Sequence, residues 1–149
     1  MKKAVIFLVM AVGINAIAHL GGPCSLEEKK CVIRGFNIDG NVLNESEAST
    51  IREIVNDLNK YGKSGTIDII GHTDSTGSQK HNLKLSETRA KNFARLMREF
   101  GLDKRFSYGK IKGEGANSPV DTDDRVEGRY NNRRVEIFLN NVEFETSGK

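Results

Sequence analysis

Two stretches of the chain repeat their apolar residues every three or four positions, which is the spacing of an amphipathic helix. The first predicts a helix over about residues 45–60, and Asn44 precedes it with a glutamate three positions further on, the pattern of an N-terminal cap. The second predicts a helix over about residues 83–100, which Gly101 ends. The apolar positions are Ala48, Ile51, Ile54, Val55 and Leu58 in the first helix, and Ala90, Phe93, Ala94, Met97 and Phe100 in the second.

Four short runs of apolar or alternating residues predict β-strands. They cover residues 31–36, 66–70, 106–111 and 134–139. The order of elements is therefore βαβαββ, which predicts an α+β fold in which a mixed four-stranded sheet has two main helices packed on it. Strands joined through a helix are expected to run parallel where they return to the same sheet, through right-handed crossovers. Residues 113–131 are turn-rich and charged, with Pro119 in the middle.

The first eighteen residues have the pattern of a secretory signal peptide. A basic start is followed by an apolar stretch from Ala4 to Ile14 and by an A-x-A motif, so cleavage is expected after Ala18. An uncleaved membrane anchor is the alternative, but Asn15 interrupts the stretch before the ~20 apolar residues that a spanning helix needs. We divide the chain into a signal peptide (1–18), a lead-in linker (19–30), one domain (31–140) and a flexible tail (141–149), and expect the mature protein in the periplasm.

The chain contains two cysteines, Cys24 and Cys31, shortly after the predicted cleavage site. In an exported protein they are expected to form one local disulfide, although two free thiols are the alternative. Attachment of a lipid to Cys24 is disfavoured because Gly21-Gly22-Pro23 precedes it, and proline next to the cysteine suits a peptidase poorly.

The charge of the chain is nearly balanced. The formal net charge is +3 and falls to +1 when Lys2 and Lys3 leave with the signal peptide, so the chain has no long-range field that would collect nucleic acid. His72 and His81 match no metal-ligand spacing. The sequence also lacks a G-x-S-x-G motif, and no pair of carboxylates stands out as catalytic. We therefore expect a protein that is not an enzyme and holds neither a metal nor a cofactor.

The most informative residues surround a loop bounded by Gly71 and Gly77. Asp74 lies in this loop after a predicted strand, and Arg89 lies fifteen positions later in the next helix. An acid and a guanidinium on two rigid elements could bind a zwitterion, or they could pair with each other. Arg133 and Arg134 precede or begin the last strand and must point to opposite faces, so one can reach the loop while the other meets solvent or a carboxylate.

Several motifs in this order resemble the C-terminal domain of the OmpA/MotB family. They are the runs 69–74, 85–86, 89–90, 113–115 and 128–135, together with Gly77, Asn82 and Pro119. The resemblance extends over residues 31–140 and implies a βαβαββ fold. The chain departs from the family pattern at Ala116, where many relatives carry glutamate, and at Asn37, near which an aspartate is common.

The resemblance further implies non-covalent binding of peptidoglycan through the diamino acid of its stem peptide, usually diaminopimelate. Asp74 would bind the side-chain ammonium group, and Arg89 would bind the neighbouring carboxylate. Thr73 and Asn82 would add hydrogen bonds, and Arg133 would approach another carboxylate of the stem peptide.

The expected role is to support the integrity of the cell envelope. An envelope protein recruited by the lead-in linker would be a further partner, and it would associate the chain with the outer membrane. The alternative is a membrane-anchored, stator-like scaffold that keeps its N-terminal helix.

Overall fold

The computed structural model of the chain describes residues 23–25, 28–37, 40 and 43–144. The predicted signal peptide and its cleavage site after Ala18 lie outside these residues. Within the described part, none of the helices combines the length and the apolar character that crossing a membrane requires.

The described residues form one mixed sheet. Its strands are β1 (Cys24–Ser25), β2 (Lys30–Arg34), β3 (Gly62–Gly71), β4 (Phe106–Gly113) and β5 (Arg134–Phe144). Their spatial order is β1-β2-β5-β3-β4. Strands β3 and β4 pair in parallel, whereas β5 pairs antiparallel with both β2 and β3. Since β5 lies between them, β2 and β3 run parallel to each other, as their connection through a helix predicts.

Among the described residues, three helices accompany the sheet: α1 (Glu45–Tyr61), α2 (Gln79–Glu99) and α3 (Val126–Asn132). The predicted start of α1 is confirmed, because Asn44 Oδ1 accepts a hydrogen bond from the Glu47 amide at 2.9 Å. The Glu47 carboxylate in turn accepts from the Asn44 amide at 3.0 Å, which completes the capping box. At the start of α2, the Ser78 side chain accepts from the His81 amide.

The apolar faces of α1 and α2 cover one face of the sheet and form a single core. The register sets Ile69 beside Ile137 and Cys31 beside Ile137, so one row of core residues crosses three strands. The helices contribute buried residues at the positions that the periodicity predicts, including Ile51, Ile54, Val55 and Leu58 from α1 and Phe93, Ala94 and Met97 from α2. The predicted α+β fold with two helices packed on a mixed sheet is confirmed.

A glycine at the end of β3 brings α2 directly against the sheet. A Cβ atom at Gly71 would lie only 2.1 Å from the main-chain oxygen of Ser86 in α2. Only glycine permits this approach, which places the N-terminal half of α2 beside the loop that follows β3.

Three features differ from the sequence-based predictions. The described residues form five strands instead of four, because Cys24–Ser25 adds a short strand within the predicted linker. The last strand continues to Phe144, so residues 141–144 are not a flexible tail. It continues because register shifts in the β3–β5 pairing let Val142 return to the core after Asn140 and Asn141. Helix α3 lies in the stretch interpreted as turn-rich.

Cys24 and Cys31 are joined by a disulfide. The two residues are also cross-strand partners in the β1–β2 pair, and Val32 donates its amide hydrogen to the carbonyl oxygen of Pro23. The bond therefore attaches β1 to the edge of the sheet.

Candidate functional site

The loop that follows β3 is fixed by the two neighbouring segments of the chain. The His72 amide donates to the carbonyl oxygen of Arg134 at 2.8 Å, and the Thr73 amide donates to that of Gly115 at 2.9 Å. Both residues are buried, and so is Asp74, of which 3% is exposed. The loop is thus a rigid support in which Asp74 points into the protein.

The Asp74 carboxylate has partners on both of its oxygens. Oδ1 accepts from the Thr76 amide at 2.9 Å, which is an Asx-turn arrangement. Oδ2 forms an ion pair with Arg133 Nη1 at 2.9 Å. Arg133 also donates from Nε to the carbonyl oxygen of Phe36, which orients its guanidinium. The expectation that Asp74 is open to a ligand differs from the structure, in which Arg133 occupies the carboxylate.

Arg89 lies beneath this loop and is 1% exposed. Its guanidinium donates to three main-chain oxygens: that of His72 at 3.1 Å, of Asn37 at 2.6 Å and of Gly40 at 2.7 Å. It also lies 5.1 Å from the centre of the Phe36 ring, a cation–π distance. Arg89 therefore connects α2, the loop after β3 and the segment after β2.

The two remaining predicted ligand residues lie in the same cluster. Asn82 donates from Nδ2 to the main-chain oxygen of Asp74 at 3.3 Å. The Thr73 hydroxyl is buried and has no hydrogen-bond partner among the residues that the structure describes. A buried hydroxyl without a partner is costly, so it is an available donor and acceptor for a bound molecule. The structure thus brings Thr73, Asp74, Asn82, Arg89 and Arg133 together around one loop.

The two arginines at the start of β5 point in different directions, as predicted. Arg133 reaches Asp74, whereas Arg134 is buried and pairs with Glu136 through Nε at 3.1 Å. Glu136 also forms a hydrogen bond with His72 Nε2 at 3.2 Å. Burial raises the pKa of Glu136, but the hydrogen bond from His72 and the charge of Arg134 outweigh it and lower the pKa to about 2. This carboxylate is therefore ionised near neutral pH.

A further residue at the site, Asp123, was not identified from the sequence. Its Oδ2 accepts from the Ser75 amide at 2.7 Å, and its Oδ1 accepts from Asn132 Nδ2 at 2.7 Å. Burial raises the pKa of Asp123, but the hydrogen bonds from Ser75 and Asn132 lower it overall. Asp123 thereby connects the Asp74 loop to the residue that precedes Arg133. The single signal in the sequence is an aspartate among turn formers, which many loops contain.

The histidines near the loop do not form a metal centre. His72 is buried against Glu136, and His81 is exposed on α2. In the described part of the chain, no three His, Cys, Asp or Glu side chains are grouped so that they could hold a metal ion.

The fold described above is the one that the resemblance implied. A sequence model described as the OmpA family matches residues 35–133, and the chain therefore belongs to this family. The predicted family membership is confirmed.

Two curated relatives are similar to the chain over most of its length. The probable lipoprotein YiaD of Escherichia coli strain K12 is 34% identical over 104 residues, which cover 70% of this chain and 46% of the relative. The peptidoglycan-binding protein ArfA of Mycobacterium tuberculosis strain H37Rv is 32% identical over 127 residues, which cover 85% of this chain and 34% of the relative. The chain thus spans less than half the length of either relative.

A solved structure supports the same assignment. The cell wall anchor of the T6SS from Pseudomonas aeruginosa is 29% identical to the chain, with a TM-score of 0.59. The match covers 77% of this chain and 80% of that structure.

Proposed function

We propose that the chain binds peptidoglycan non-covalently in the bacterial cell envelope, through the diamino acid of the stem peptide. The observation that carries this proposal is the convergence of Asp74, Arg89 and Arg133 from three separate elements on one loop. The names of two similar proteins, a peptidoglycan-binding protein and a cell wall anchor, support the class of ligand.

A diaminopimelate residue offers an ammonium group and a carboxylate at the end of its side chain. In the proposed complex Asp74 binds the ammonium group, and Arg89 binds the adjacent carboxylate. The unpartnered hydroxyl of Thr73 and the amide of Asn82 add hydrogen bonds to the same group. Arg133 binds a second carboxylate of the stem peptide.

Binding at this site is an exchange of partners, because the charged groups already have internal ones. The ammonium group replaces Arg133 at Asp74, and the ligand carboxylate replaces the main-chain oxygens of Asn37 and Gly40 at Arg89. Charge-assisted hydrogen bonds contribute roughly 1.5–3 kcal/mol each. Binding gains only part of this free energy, because internal hydrogen bonds of the same kind are lost. A single contact is therefore weak, and firm attachment arises from many sites along the polymer.

The proposed location is the periplasm, with the predicted signal peptide removed after Ala18. An envelope partner that recognises the lead-in linker would hold the chain at the outer membrane. N-terminal sequencing of the protein from its native cells tests this. A first residue of His19 supports cleavage, whereas a chain that retains residues 1–18 supports the membrane-anchored scaffold.

Sedimentation with purified sacculi tests the binding itself. Wild-type protein is expected in the pellet, and Asp74→Asn is expected in the supernatant because the ammonium group loses its counter-charge. Asp124→Asn is the matched control, since Asp124 is exposed in the loop that contacts Ser75 but pairs with no charged side chain that the structure describes. Equal sedimentation of wild type and Asp74→Asn, with both folded by circular dichroism, would refute the proposed role of Asp74.

A further inference from the structure

A groove with a volume of about 240 Å³ lies between β2 and the start of α1, and none of the residues of the Asp74 site lines it. Its lining is mostly polar. It includes Arg34 from β2, Ser46, Glu47 and Thr50 from α1, and Tyr130 from α3. These side chains can donate and accept many hydrogen bonds, which suits a ligand that carries many hydroxyl groups.

Tyr130 supplies an aromatic surface at one side of the groove, and 47% of this residue is exposed. Its ring lies against the backbone of Gly35, where a Cβ atom would come within 2.4 Å of the ring. Gly35 also has a φ of +86°, a left-handed conformation that side chains disfavour. The backbone at Gly35 is therefore shaped to support the ring, and the rest of the ring remains accessible.

Three polar groups beside this ring are available to a ligand. The Arg34 guanidinium, the Ser46 hydroxyl and the Tyr130 hydroxyl make no side-chain hydrogen bond or ion pair within the part of the chain that the structure describes. The Glu47 carboxylate is engaged on one oxygen by the Asn44 amide. An aromatic face with donors and acceptors around it is the arrangement that binds a sugar, whose C–H face packs on the ring while its hydroxyls form hydrogen bonds.

The groove and the Asp74 site share one turn of backbone. The Gly35 amide donates to the main-chain oxygen of Arg133 at 3.0 Å, and Phe36 accepts from the Arg133 side chain. The backbone of Gly35 and Phe36 therefore connects the two places through Arg133. In peptidoglycan only two amino acids separate the diamino acid from the sugar, so the ligand that would contact both places is a single muropeptide.

We propose that this groove is a carbohydrate subsite, in which Tyr130 packs against a sugar ring of the peptidoglycan strand. The proposal rests on the proposed function, since the stem peptide at Asp74 would deliver the sugar. In this proposal, Tyr130 gives the chain a higher affinity for intact muropeptides than for free peptides.

Isothermal titration of the full chain with two probes tests this subsite. The probes are the stem tripeptide that ends in diaminopimelate and the same tripeptide attached to its N-acetylglucosamine–N-acetylmuramic acid disaccharide. Wild type is expected to bind the disaccharide form about fivefold more tightly, which corresponds to ~1 kcal/mol. Tyr130→Ala is expected to bind both probes with the affinity that wild type has for the tripeptide. Tyr130→Phe keeps the ring and most of the difference.

Two further variants control for folding and location. Val126→Ala truncates an exposed apolar residue on the same helix, outside the groove, and is expected to keep the fivefold difference. Arg34→Gln alters the groove at an exposed position and is expected to reduce the difference to about twofold. Unchanged tripeptide binding by a variant shows that its Asp74 site is intact.

The outcomes separate the two proposals. Equal binding of both probes by wild type, or a fivefold difference that persists in Tyr130→Ala, would overturn the subsite. If wild type binds the disaccharide form but not the tripeptide, the diamino acid site is refuted. The groove is still supported in that case if Tyr130→Ala no longer binds the disaccharide form. If wild type binds neither probe, both proposals fail.

Discussion

Glu136 provides a test of the buried charges beside the loop that contains Asp74. Its side chain is 11% exposed and contacts His72 Nε2 at 3.2 Å, Arg134 Nε at 3.1 Å and Lys30 Nζ at 3.7 Å. Replacing it by glutamine keeps the shape but removes the charge. We expect Glu136→Gln to be less stable than wild type at pH 6, and we expect this difference to shrink as the pH falls.

The magnitude follows from the pKa of Glu136, which falls from 4.5 to about 2 on folding even though burial by itself raises it. A lowered pKa means that the folded state favours the charged form. The contribution is therefore complete above pH 4.5 and disappears as the pH falls towards 2. Over this range it amounts to ~3 kcal/mol of the free energy of unfolding, of which ~2 kcal/mol is lost by pH 3.

Urea unfolding followed by circular dichroism at pH 6, 4.5 and 3 measures this difference. Glu53→Gln, an exposed substitution on α1, is the matched control and is expected to stay within ~0.5 kcal/mol of wild type at pH 6. If the gap between wild type and Glu136→Gln is the same at pH 6 and pH 3, Glu136 is not held as a charged partner of Arg134 and His72.

Three shorter predictions concern the elements that hold the site. Asn44→Ala removes the cap of α1 and should lower the free energy of unfolding by ~1 kcal/mol, measured by urea unfolding, whereas an unchanged midpoint would contradict the capping box. Gly71→Ala should lower the free energy of unfolding by ~1–3 kcal/mol or more, because its Cβ would meet the backbone of Ser86. A thermal melt that matches wild type would show that α2 can move away without a loss of stability. Reduction of the Cys24–Cys31 bond should lower the midpoint of thermal unfolding by an amount equivalent to at most ~3 kcal/mol, and no change would show that β1 adds nothing to stability.

The helices could be predicted from the sequence because their signals are local. Asn44 and Glu47 lie within one helical turn, and the apolar stripe of α1 needs no information from the rest of the chain. Helix α3 was missed because Gly128 and two asparagines give it a low helix propensity. Tertiary contacts hold it in place, among them Arg129 Nη1 donating to the main-chain oxygen of Asp123 at 2.7 Å.

The candidate site could be predicted only as a set of residues. The motif identifies Asp74, Arg89 and Arg133, but it does not state which groups pair with each other in the folded chain. That pairing depends on long-range geometry: Arg133 lies 59 positions from Asp74, and Asn37 lies 52 positions from Arg89. The sequence therefore left open whether these charges are free or paired, and the structure shows that Asp74 pairs with Arg133 and that Arg89 donates to main-chain oxygens.

The central claim is that Asp74 binds the ammonium group of a peptidoglycan diamino acid. Isothermal titration of wild type and Asp74→Asn with two peptides tests it most directly. The first is the tripeptide that ends in diaminopimelate, and the second is the same tripeptide with a last residue that lacks the side-chain ammonium group. Wild type should bind only the first peptide, and Asp74→Asn should bind it at least about tenfold more weakly, or ~1.4 kcal/mol. Equal affinity of wild type for the two peptides, or undiminished binding by folded Asp74→Asn, would contradict the claim.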